Sequence, residues 1–147
     1  MYDDILIPTD GSETTDETLE HGLAIAEDND ATVHALYVVD SRITAAATEE
    51  TGTDLEHSLE DEGREAVTAV TDAATERGLE TARDVHKGTP SKTILEYADD
   101  HDIDLIVIGT RGKSAREKVT SLGSVSERVV DNAEIPVFVV RNAGTTA

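Results

Sequence analysis

Leu105 to Glu127 reads LIVIG, TRGKSAREKVTSL, GSVSE: an apolar strand closing on Gly109, a second glycine at Gly112, ten intervening residues, then Gly123-Ser124 opening a helix. Glycine lets a ligand approach backbone amides, because no Cβ stands in the way and positive φ is permitted. A helix start adds free N–H groups and the positive end of a macrodipole. The stretch therefore reads as a seat for an anion. Its local charge supports this: between Gly109 and Arg128 stand Arg111, Lys113, Arg116, Lys118 and Arg128 against only Glu117 and Glu127, in a chain whose net charge is −20. Such a concentration of cations within an acidic protein is what drawing in a polyphosphate requires.

Other phosphate and nucleophile motifs are excluded by spacing. Gly112-Lys113-Ser114 ends like a Walker A loop, but that motif needs a glycine where Val107 stands. No G-x-G-x-x-G follows the first apolar run, and no serine is set in G-x-S-x-G. The five histidines, His21, His34, His57, His86 and His101, fall one to an element without metal-ligand spacing. The carboxylates of the long helix, including Glu56, Glu60, Asp61 and Glu65, read as a solvated face rather than as acid–base pairs.

Composition narrows the partners. The 147 residues suit one domain, and 32 acidic against 12 basic side chains disfavour nucleic acid and anionic membranes, both of which are held by basic patches. There is no cysteine, hence no disulfide and no thiolate site. The start, MYDDILIPTDGS, has no basic segment leading a cleavable apolar one, and no apolar run has the length of a membrane span, so a cytoplasmic location is expected. Four lysines among so many carboxylates resemble the bias of salt-accumulating halophiles, and a halophilic archaeal source is expected.

Working outward, Ile5 to Ile7 is a continuous apolar run stopped by Pro8, as in a strand buried on both faces. A turn at Thr9 to Ser12 leads to a helix whose stripe is Leu19, Gly22, Leu23 and Ala26. Ala31 to Val39 is a second strand, and 40–53 a loop with a short helical turn near Ala45 to Ala47. A long helix opens at Asp54 and ends near Gly78, burying Leu55, Leu59, Ala66, Val67, Val70 and Ala74. Thr81 to His86 is a polar strand suited to a sheet edge. Thr89 caps a helix with Pro90 at its first position and Ile94, Leu95 and Ala98 inward. Ser124 and Glu127 match a capping box, and Pro136 to Val140 is a last strand before a polar tail at 142–147. This alternation predicts an α/β fold with a doubly wound parallel sheet and helices on both faces. Ligands of such sheets bind beyond the carboxyl ends of the strands, here at Pro8-Thr9-Asp10, Val38-Val39-Asp40 and Ile108-Gly109.

Taken together, IPTDGS at Ile7 to Ser12, YVVD at Tyr37 to Asp40, KGTP at Lys87 to Pro90, DLIVIGTRGKS at Asp104 to Ser114, LGSVSERVV at Leu122 to Val130 and IPVFVVR at Ile135 to Arg141 resemble the universal stress protein family over nearly the whole chain. The family's nucleotide-binding branch carries G-x2-G-x9-G-[ST]; here the long gap is one residue longer. The resemblance implies one domain over 1–141, a five-stranded sheet in the order 3-2-1-4-5 of flavodoxin-like and adenine nucleotide alpha hydrolase-like proteins, and ATP in the cleft. By position, Pro8, Thr9, Asp10 and Val38 meet the adenosine, and Ile108, Gly109, Arg111, Gly112, Gly123, Ser124 and Val125 hold ribose and phosphates. Mg2+ or Mn2+ is implied as a bridging ion, with Asp10 its one candidate protein ligand. Homodimers form in the family through the last strand, here Val137, Phe138, Val139 and Val140. The expected role is a nucleotide-responsive regulatory module of the stress response, with no catalytic residue and slow ATP hydrolysis at most. Its rivals are a nucleotide-independent dimeric interaction protein and a slow ATPase or phosphotransfer enzyme.

Overall fold

Among the residues that the computed structural model describes, 1–11, 14–41, 49–110 and 124–141, five parallel strands alternate with four helices. They run β1 (Asp4–Pro8), α1 (Thr14–Asn29), β2 (Thr32–Asp40), α2 (Glu49–Glu76), β3 (Thr81–Gly88), α3 (Pro90–Asp100), β4 (Leu105–Gly109), α4 (Ser124–Asn132) and β5 (Val137–Val140). The sheet order is β3-β2-β1-β4-β5, with every pairing parallel.

The central strands are apolar throughout because both of their faces are covered. Side chains alternate across a strand: Ile5 and Ile7 face one cluster and Leu6 the other. The first cluster joins them to Val33, Ala35, Tyr37 and Val39 of β2, Leu23 and Ala26 of α1, and Val67, Val70 and Ala74 of α2. The second joins Leu6 to Leu36, Ile106 and Ile108 and to Ile94, Tyr97 and Val129 of α3 and α4.

β3 lies at the edge, as its polar composition indicates, and none of its residues is buried. Charged side chains tie it to α2: Lys87 to Glu56 at 2.8 Å, and Arg83 to the hydroxyls of Thr68 and Thr71. The long helix begins at Glu49 rather than Asp54, which shortens the expected loop. The sequence of residues 49–53 has no large apolar residue, so periodicity has nothing to register there. The helical turn expected near Ala45 to Ala47 lies outside the described residues. Thr89 is extended ahead of Pro90, but its side chain makes no cap hydrogen bond.

Three of the histidines scattered in sequence, His34, His86 and His101, converge around Tyr97. Buried His34 lies between two partners, its Nδ1 2.9 Å from the Tyr97 hydroxyl and its Nε2 2.9 Å from Asp4 Oδ1. The carboxylate accepts only a proton-bearing Nε2, so Nδ1 of the neutral ring accepts from tyrosine. His101 stacks on Tyr97 with ring centroids 3.8 Å apart, and His86, paired with Asp84, meets the same ring edge-on. The cluster ties α3 to β1 and β2. Tyr97→Phe strips a buried acceptor of its donor and is expected to destabilise the fold by about 1–3 kcal/mol. Urea unfolding measures this, and a loss under about 0.5 kcal/mol would show that the bond carries no net stabilisation.

Candidate functional site

The carboxyl ends of β1, β2 and β4 lie side by side where strand order reverses, the place at which open α/β sheets hold their ligand crevice. β1 is the short strand that creates it. Its pairing with β4 covers Ile5 and Leu6, and Pro8, lacking an N–H, cannot extend that ladder. Its pairing with β2 ends with Pro8 opposite Leu36, followed by a last bond in which Thr9 N–H donates to the Leu36 carbonyl at 2.9 Å. β2 runs on to Asp40, still paired with β3 to its end.

In a parallel ladder, both backbone groups of a residue point to one side and alternate along the strand. Leu36 faces β1, so Val38, two residues on, also directs its N–H and C=O toward β1, beyond the point where β1 has turned away. On the other flank, Ile106 and Thr110 donate toward β5, so Gly109 directs its backbone groups back toward β1. The crevice thus carries one donor–acceptor pair from β2 and one from β4, with Pro8, Thr9 and Asp10 between them. Ile108 lies beneath, buried in the second cluster, where Val125 of α4 also packs.

The turn after β1 is tightly made. Thr9 is buried, Gly11 N–H donates to Thr9 Oγ1 at 3.2 Å, and Gly11 takes φ +79°, a left-handed value that favours glycine. Beside it, Tyr37 is buried under α2, its hydroxyl donating to Glu62 Oε2 at 3.4 Å. Burial, and then the carboxylates of Glu62 and Asp10, push the Tyr37 phenol up to about 12. Sequence reading assigned the carboxylates of α2 to a solvated face and so missed Glu62; the only signal was Gly63 within a helix.

Arg111, Gly112 and Gly123 lie outside the described residues, as does the cationic loop between them. Ser124 is the first residue of α4. Among the described residues no three His, Asp or Glu side chains gather as for a metal ion, so those residues, Asp10 included, present no preformed site for Mg2+ or Mn2+. No helix there is long and apolar enough to cross a membrane. On β5, Val140 is buried while Phe138 is 42 % exposed, close to His21.

The family model described as the universal stress protein family matches residues 1–141. The chain belongs to that family. It is 41 % identical over 142 residues to Universal stress protein MJ0531 of Methanocaldococcus jannaschii, covering 96 % of this chain and 83 % of that one. The solved structure of protein MJ0577, from the same organism, superposes with a TM-score of 0.87 at 31 % identity over 99 % of each chain. The Archaeoglobus fulgidus universal stress protein, solved in complex with dAMP, shares the fold at a TM-score of 0.69 and 21 % identity, over 94 % of this chain and 97 % of that one.

Proposed function

We propose that this universal stress protein binds ATP in the crevice and acts as a nucleotide-responsive regulatory module of the stress response. One observation carries the reading: Val38 overhangs the end of β1 with its N–H and C=O directed toward the crevice, opposite Gly109, and among the described residues β1 gives them no partner. An adenine edge, with a donor and an acceptor side by side, complements such a backbone pair, and Pro8 offers it an apolar floor. Asp10 accepts from a ribose hydroxyl or the exocyclic amine. The polyphosphate extends from Gly109 toward the start of α4 and the cationic loop, where Arg111, Gly112, Gly123, Ser124 and Val125 stand in sequence. A divalent cation would arrive with the triphosphate, held chiefly by phosphate oxygens and water. Positioning without a general base gives slow hydrolysis at most.

Titration calorimetry in about 2 M KCl with Mg2+, the salt screening the chain's negative charge, is expected to show one ATP site per chain. In Gly109→Val, where the reading needs close approach of the ligand to the backbone, affinity is expected to fall at least about 100-fold, some 2.7 kcal/mol. An intact protein without ATP binding would favour the nucleotide-independent reading.

Two further properties belong to the same proposal. Phe138, with Val130 39 % exposed nearby in sequence, leaves apolar surface along β5, an edge strand that a second copy pairs with to form a homodimer. The acidic composition suits a cytoplasm of high salt. Stability is expected to rise between about 0.1 and 3 M KCl as screening relieves self-repulsion. A flat thermal-unfolding profile across that range would contradict a halophilic origin.

A further inference from the structure

The acidic contact behind the crevice is not used by the nucleotide reading, yet its geometry is specific. Glu62 Oε2 is shared between two elements: it accepts from the Tyr37 hydroxyl at 3.4 Å, and it stands 3.6 Å from where a Cβ on Gly11 would be. Its place along α2 is tightly set. A methyl on the next residue, Gly63, would come 2.5 Å from Cδ1 of the Tyr37 ring, so the helix backbone lies directly on that ring. Tyr37 is itself held in β2, one residue from Leu36, whose carbonyl receives the Thr9 N–H. The Thr9–Gly11 turn is therefore tied to β2 through Thr9, and Glu62 stands beside it, bordering the space that a side chain on Gly11 would fill.

Resting on the nucleotide reading above, we propose that Glu62 is a positioning residue of the nucleotide site: braced by the Tyr37 hydroxyl and standing beside Gly11, it limits the Thr9–Gly11 turn and so aims Asp10 at the bound adenosine. Two carboxylates so close to a nucleotide have a competing effect, since they repel its phosphates. The two effects differ in sign. Loss of positioning weakens every adenine nucleotide by a similar factor, whereas loss of repulsion tightens AMP and Mg-ATP alike, since both are anions. The elevated pKa of Tyr37 supplies an independent optical reporter, because Glu62 contributes to it.

The experiment compares AMP and Mg-ATP binding by calorimetry in wild type, Glu62→Ala and Glu62→Gln, each in high salt. Glu62→Ala is expected to weaken both ligands about 10-fold, and Glu62→Gln, which still accepts the tyrosine bond, to recover most of that loss. Absorbance at 295 nm is expected to show the Tyr37 titration moving down from about 12 in Glu62→Gln. Tighter ATP binding in Glu62→Ala, affinities unchanged for both ligands, or an unmoved Tyr37 titration would each overturn the proposal. A wild-type protein that binds neither nucleotide would overturn the nucleotide reading as well. Normal wild-type binding with an indifferent Glu62→Ala overturns the positioning role alone.

Discussion

Ile106→Ala is expected to lose about 2–5 kcal/mol of stability, the range for truncating a buried aliphatic side chain where the surroundings close only partly on the cavity. Ile106 is fully buried, paired with Leu6 of β1 and Val137 of β5, and packed in the cluster under α3 and α4. Few positions touch so many elements. Against a typical total of about 5–15 kcal/mol the loss is large, and for a chain of this size it corresponds to a fall in Tm of roughly 5–20 °C. Urea unfolding at fixed KCl measures it. A loss below about 1 kcal/mol would mean that β4 is not covered on this face.

The second large effect is alkaline. Tyr37 and Tyr97 are both pushed up to about 12, first by burial and then by carboxylates, Glu62 and Asp10 for the one and Asp84 and Asp4 for the other. A phenol whose pKa is raised on folding holds its proton more tightly in the native state. Its contribution is fully present below the unfolded value near 10 and is lost as pH rises through 10 toward 12. Unfolding in that window therefore releases protons from both rings, and the urea midpoint falls steadily with pH. Tyr37→Phe and Tyr97→Phe each flatten part of the decline, and their difference spectra at 295 nm assign the two late titrations. Folded protein in which both rings ionise near 10 would contradict the burial described here.

The fold was legible because its central strands are short and apolar on both faces. Ile5 to Ile7 and Leu105 to Ile108 admit no solvent-exposed side, and that requires helices above and below. β3 betrayed its edge position through Arg83, Asp84, His86 and Lys87. The start of α2 was not legible, since residues 49–53 have no apolar stripe and helical periodicity is only visible where one face is buried. The strand ends around the crevice were legible in sequence, but not why a crevice exists there: Pro8 marks where β1 stops, whereas the overhang of Val38 depends on the register between two strands. Long-range polar contacts were equally hidden. His34 and Tyr97 are 63 positions apart, and Tyr37 and Glu62 are 25 apart. Each residue alone resembles an ordinary strand or helix position, and only packing of α2 and α3 onto opposite faces of the sheet brings them together.

A crystal structure of the protein grown with Mg-ATP tests the central claim most directly. The account predicts adenine density within hydrogen-bond distance of the Val38 N–H and C=O, ribose beside Asp10, and phosphates running from Gly109 to the start of α4. A crevice that stays empty at saturating ATP, or nucleotide bound elsewhere on the surface, would contradict it.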